Sequence, residues 1–137
     1  MGDYAMHHIR NTLWILMGAV LGGGLVGCGR TTVRIGWLES NLPGRFSASY
    51  VTFTGSESRR VQVDAGETLV LTYDVEVTRS TLAIRVEAPD DRVLWGRSFP
   101  DDAQGSVELP LERDGWHSIV VDGDGTGGGF RLSWALE

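Results

Sequence analysis

Past residue 60 the chain alternates. Leu69, Leu71, Tyr73, Val75 and Val77 are separated by single, mostly polar residues. The same two-residue period returns in Leu82, Ile84 and Val86, in Val107, Leu109 and Leu111, and in Phe130, Leu132, Trp134 and Leu136. Successive side chains change faces along a β-strand, so this period prescribes half-buried strands. Val61 and Val63 make a shorter strand before an Asp64-Ala65-Gly66 turn. Residues 45–54, 92–99 and 116–121 add further strands, and 31–38 is either a first strand or part of a tether. No window after Cys28 carries the spacing of an amphipathic helix. Glycine-bearing turns recur at roughly 8–12 residues, the rhythm of sandwiches and barrels. The expected fold is all-β: a single antiparallel, jelly-roll-like β-sandwich of about eight strands in two packed sheets.

The chain before this domain reads differently. Residues 1–11 are polar, with Arg10 as the one formal positive charge and Asp3 against it; residues 13–26 are apolar and glycine-rich. The run is shorter than the roughly 20 apolar residues a spanning helix needs. It closes on Leu25-Val26-Gly27-Cys28. Small residues ahead of a cysteine give a signal peptidase access to the backbone, and the thiol accepts a diacylglyceryl group as a thioether. The segment therefore reads as a lipoprotein export signal over residues 1–27, with lipidation at Cys28. Cys28 is the single cysteine of the chain and has no intrachain disulfide partner. Two or more acyl chains anchor stably where one does not. The expected organisation is signal peptide 1–27, lipidated Cys28 with a tether or first strand over 28–44, and the sandwich over 45–137. The expected location is the cell envelope, on the outer face of the cytoplasmic membrane or on the outer membrane.

Charge excludes one class of partner. The net charge is −6, and an acidic domain repels nucleic-acid phosphates. The balance is uneven, though. Between Gly29 and Arg45 lie Arg30, Arg34 and Arg45 against the single acid Glu39. Beside an anionic lipid surface such arginines are attracted.

Four stretches share a further pattern. Val61-Gln62-Val63-Asp64-Ala65-Gly66-Glu67-Thr68-Leu69 is followed by Leu82-Ala83-Ile84-Arg85-Val86-Glu87-Ala88-Pro89-Asp90. Asp114-Gly115-Trp116-His117-Ser118-Ile119-Val120-Val121 and Gly129-Phe130-Arg131-Leu132-Ser133-Trp134 come next. Together they resemble the bacterial pre-peptidase C-terminal type of β-sandwich, over about residues 61–136. That resemblance implies a non-catalytic accessory fold in an exported protein.

Candidate sites are few. His117 is the only histidine after Cys28, and Ser118 beside it points to the opposite face of a strand. Asp90-Asp91 and Asp101-Asp102 lie in turn-like polar surroundings. No catalytic residues, no cofactor site and no enzymatic activity are expected. Asp122 and Asp124 are weak metal candidates: Asp122-Gly123-Asp124-Gly125-Thr126-Gly127 resembles the first half of a calcium loop, but position twelve is Ser133 rather than glutamate. Read plainly, residues 122–129 are a hairpin loop. Sugar binding needs exposed aromatic platforms. Trp95 and Trp134 share parity with core residues, which leaves Trp37 and Trp116 to decide. The functional expectation is a lipid-anchored, non-catalytic binding or envelope-structural module, partnered by the membrane through its lipid and by an envelope protein or a glycan. A carbohydrate- or calcium-binding jelly roll is the alternative.

Overall fold

The structure, a computed structural model, describes residues 32–137. The signal segment 1–27, Cys28 and Arg30 lie outside the described residues. Eight strands follow in chain order: β1 (Val33–Ile35), β2 (Leu38–Leu42), β3 (Arg45–Val63), β4 (Thr68–Arg79), β5 (Leu82–Glu87), β6 (Val93–Phe99), β7 (Ala103–Pro110) and β8 (Gly115–Leu136). The described residues contain no helix.

Two very long strands organise the fold. β3 and β8 pair antiparallel from Arg45↔Ser133 to Val63↔Gly115, with register shifts between Tyr50 and Gly55. On one side of that irregularity, β8 pairs with β4, β4 with β7, and β2 with β3. On the other side, β8 pairs with β5, and β5 with β6. The expected pair of sheets is thus a single hydrogen-bonded sheet folded across its own middle into two layers, β2-β3-β8-β4-β7 and β3-β8-β5-β6. β1 pairs with Thr52, Phe53 and Thr54 at the fold line.

The alternation in sequence becomes the core. Leu69, Leu71, Tyr73 and Val75 of one layer face Leu82, Ile84, Val86 and Phe99 of the other, all buried in one cluster. Tyr73 of β4 touches both Trp95 (ring centroids 6.0 Å apart) and Phe99 (5.1 Å) of β6, so the layers are in direct contact. Trp95 and Trp134 pack against this cluster, as their parity demands. At the β3 edge the sandwich is closed by charge. The Arg59 guanidinium lies 3.7 Å from the Phe46 ring centroid, donates to Asn41 Oδ1 at 2.9 Å and sits 3.5 Å from Glu39. Burial lowers its pKa; Glu39 works against that and Arg34 with it.

One expectation is corrected here. Residues 122–129 are not a hairpin loop; they lie inside β8, and the two strands expected on either side of them are one. The glycines mark a crowded corner rather than a turn. A Cβ on Gly128 would lie 2.0 Å from the Glu76 carbonyl oxygen, and one on Gly129 would lie 2.7 Å from that of Ala48. β3, β8 and β4 approach closely here because side chains are missing. The segment 31–38 contains β1, paired to β3.

Candidate functional site

A concave surface lies on the outer face of the β2-β3-β8-β4-β7 layer. Since Phe46, Ala48, Phe130, Leu132, Leu71 and Tyr73 point inward, their alternating neighbours point out. The registers line these up in rows across the strands. One row runs Ser40, Ser47, Arg131, Asp74, Gln104. The next runs Leu42, Arg45, Ser133, Thr72, Ser106. A third runs Leu38, Ser49, Gly129, Glu76. Gly129 contributes no side chain, so the sheet is hollowed between Ser49 and Glu76.

Two depressions result, of about 450 Å3 over the Gly129 row and about 380 Å3 over the Ser133 row. They share Ser40, Ser47, Asp74 and Arg131, so they form one groove. Asp74 and Arg131 face each other across β4 and β8. Among the described residues neither makes an ion pair or a side-chain hydrogen bond. The groove is therefore lined by free donors and acceptors: the guanidiniums of Arg45 and Arg131, the carboxylates of Asp74 and Glu76, and several hydroxyls. It has no aromatic platform.

The outer face of the other layer is internally satisfied. Arg85 pairs with both Asp122 and Glu87, and Ser56 Oγ donates to Asp122. Asp122 is thus held by a guanidinium and a hydroxyl. Asp124 is exposed, and its backbone carbonyl accepts from Ser80 Oγ at 2.9 Å. Among the described residues no three histidine, cysteine or acidic side chains cluster as metal ligands.

The remaining sequence candidates are dispersed. His117 is buried, with Nδ1 3.2 Å from the Gly115 carbonyl oxygen. It lines a separate end cavity of about 300 Å3 with Arg92, Glu112 and Arg113. Asp90 accepts from Arg92 N at 3.3 Å and from Arg113 Nη1 at 2.8 Å. The Arg92 amide, with help from Arg113, holds its carboxyl below the usual range. Asp91 takes a left-handed turn conformation (φ 65°). Asp102 Oδ1 accepts from Val77 N at 2.8 Å. These acids hold turns and strand ends and do not converge on His117.

The two tryptophans separate. Trp37 stacks on Tyr50 (5.4 Å, 13°) and leans on Phe53 and Phe130, half-buried against the core. Beneath it Trp37 Nε1, Tyr50 Oη and Thr126 Oγ1 are buried without a hydrogen-bond partner. Burial pushes the Tyr50 phenol up to about 12; the Thr126 hydroxyl pulls the other way, weakly, since the two oxygens do not meet in hydrogen-bonding geometry. Trp116 is 48% exposed, with Arg60 over its ring at 4.6 Å. Among the described residues there is no pair of coplanar exposed rings.

Sequence reasoning searched for aromatics and acid clusters and missed the groove. Its signal was only a run of outward polar positions on three strands far apart in the chain.

No family model matches this chain, and no curated protein matches it. Solved structures do share its fold. The carbohydrate-binding module TmCBM61, solved in complex with β-1,4-galactotriose, superposes with a TM-score of 0.51 at 12% identity, over 74% of this chain and 88% of that one. The enzymatically active domain of bacteriophage CBA120 tailspike protein 4 gives 0.51 at 15% identity, over 78% of this chain but 18% of that one. The class defined by fold is the antiparallel β-sandwich.

Proposed function

We propose that this chain is a lipid-anchored, extracytoplasmic binding module without catalytic activity, and that its groove takes a hydroxyl-rich glycan. The carrying observation is the row Ser47, Arg131, Asp74 and Gln104, whose two charged members face each other and remain unpartnered. Carboxylates accept from sugar hydroxyls and a guanidinium donates to them, so such a row reads a chain of hydroxyls edge-on. The sandwich shared with a module that carries a galacto-oligosaccharide supports the reading. So does the resemblance to a non-catalytic accessory fold over residues 61–136. The aromatic platforms expected of a sugar site are missing among the described residues, so recognition here would depart from that expectation and rest on hydrogen bonds. The lipobox at Cys28 supports the anchor.

The test is binding of the detergent-solubilised full chain to a panel of soluble oligosaccharides. Loss of one charged hydrogen bond costs about 1.5–3 kcal/mol, so Asp74→Ala or Arg131→Ala should weaken binding roughly tenfold or more. Both positions are on the outer face, and melting should stay within about 3 °C of the parent. Binding unaffected by either change, or no binding across the panel, refutes the groove.

A further inference from the structure

We propose that the β1–β2 edge of the sandwich is a membrane-docking face, seated in the headgroup region of an anionic bilayer. The inference rests on the reading of Cys28 as the lipidated residue and adds to it the face that meets the lipid. Of the seven large hydrophobic residues exposed among the described residues, five lie on this edge: Val33 (37%), Ile35 (54%), Leu38 (73%), Leu42 (57%) and Val51 (63%). Their grouping follows from register. Val33 and Ile35 stand opposite Thr54 and Thr52, and Leu38 and Leu42 opposite Ser49 and Arg45, all on the outer side. Val51 lies over Gly36, where a Cβ would come within 2.8 Å of its Cγ2. Both β1 and β2 pair only with β3, so their far edges carry free backbone groups. In water an apolar open edge of this kind is an aggregation site. In the headgroup zone its apolar side chains leave water while its backbone stays hydrated.

Two observations choose lipid over other occupants. The first is reach. Val33 is five residues from Cys28, and an extended chain covers at most about 3.3–3.6 Å per residue, so β1 stays within roughly 17 Å of the acylated residue. A domain of this size has a radius of gyration near 13 Å, so an edge on that leash cannot be turned to the far side from the bilayer. The second is charge. In a chain of net charge −6, the stretch from the anchor to the start of β3 carries Arg30, Arg34 and Arg45 against Glu39. Arg34 is paired with Glu57, and among the described residues Arg45 has no ion-pair partner. Docked this way, the groove has its β2 side, with Leu38, Leu42 and Arg45, at the bilayer, and Asp74 and Arg131 stand further from it.

The experiment uses the full chain, purified from membranes, in vesicles of phosphatidylethanolamine and phosphatidylglycerol. Because acylation consumes the only native thiol, a cysteine introduced at an exposed position is the only free one. Ile35→Cys, Leu38→Cys and Leu42→Cys, with Glu108→Cys on β7 as control, are labelled with an environment-sensitive fluorophore. Quenching is read with doxyl-labelled lipid and with aqueous iodide, and intact mass reports acylation. Leu38 and Leu42 probes are expected to be quenched by doxyl lipid roughly twofold more than the Glu108 probe, and shielded from iodide. Arg45→Glu should reduce that quenching in anionic vesicles. Probes open to iodide and unquenched by lipid, on a chain whose mass shows acylation, overturn docking while the anchor stands. Shielding from iodide without lipid quenching also overturns it, and assigns the edge to a second copy of the chain or another protein. An unacylated full-length mass removes the anchor alone; Cys28→Ala then leaves the introduced cysteine as the sole thiol, and the same quenching pattern decides docking.

Discussion

The corner of β8 permits a test in which two contributions are separated by neighbouring glycines. Gly125 has φ +65° and nothing within 4 Å of where a Cβ would sit. Alanine there incurs only the left-handed backbone cost, about 1–2 kcal/mol. Gly129 has ordinary backbone, but its Cβ would lie 2.7 Å from the Ala48 carbonyl oxygen and 3.2 Å from Ser49 Cα. Alanine there forces β3 and β8 apart, an overpacking cost of about 1–3 kcal/mol. Gly128 combines both: φ is +122°, and the Cβ would lie 2.0 Å from the Glu76 carbonyl oxygen and 2.8 Å from its carbon. Gly128→Ala should therefore cost at least the sum, about 2–5 kcal/mol. That is a large part of the roughly 5–15 kcal/mol that stabilises a domain of this size.

Thermal and urea melts of the three variants, followed by circular dichroism and tryptophan fluorescence, measure the series. At about 4–8 °C per kcal/mol, Gly125→Ala should lower the midpoint by roughly 5–15 °C and Gly128→Ala by roughly 10–40 °C or abolish folding. The required order is Gly128→Ala worst, with Gly125→Ala and Gly129→Ala each milder. If Gly128→Ala melts with Gly125→Ala, the corner is not held by close backbone approach, and residues 122–129 behave as the open loop that their composition suggests.

The Tyr50 hydroxyl is buried without a partner, so Tyr50→Phe should raise stability by about 1 kcal/mol; a loss would mean that the hydroxyl is bonded. The Tyr50 pKa is raised from 10.0 to about 12. Between those values the unfolded chain has released its proton and the folded chain has not, so stability is unaffected below pH 10 and falls as pH rises towards 12. Urea melts from pH 9 to 12 should show this fall in the parent and a shallower one in Tyr50→Phe; equal slopes refute it. Millimolar calcium against excess chelator should leave the melting midpoint unchanged, because Arg85 and Ser56 hold Asp122 and calcium needs six to eight oxygens. A rise abolished by Asp122→Ala would restore the metal site.

What could be read in advance divides along a physical line. β4, β5 and β7 were legible because each keeps strict parity, and parity is local. The length of β3 and β8 was not. Gly123 and Gly127 to Gly129 are turn formers by propensity, and only the approach of Phe53, Val51, Glu76 and Ala48 from other strands shows that they are needed for contact instead; Gly125 serves only its left-handed backbone. Trp37 was undecidable for a similar reason: its burial depends on stacking over Tyr50 of β3. The groove was hidden more deeply. Serine, arginine and aspartate at outward positions are unremarkable strand by strand, and they become a surface only once Ser47 is registered against Arg131 and Arg131 against Asp74.

The two outer faces of the sandwich argue for where recognition belongs. On the β5–β8–β3 side, Arg85, Glu87, Asp122 and Ser56 satisfy one another, and Arg60 covers the exposed Trp116 ring. These half-buried pairs leave the groups they join less free for a ligand. On the β4–β8–β3 side, Asp74 and Arg131 stand directly opposite each other on neighbouring strands. Opposite charges so placed ordinarily attract and pair. Among the described residues these two remain apart, at the centre of a groove whose floor is opened by Gly129. A surface that leaves an acid and a base both unneutralised, within one concavity, keeps bonding capacity that folding does not use. That unused capacity is the ground for proposing this face, rather than the aspartates of the glycine-rich corner, as the glycan groove.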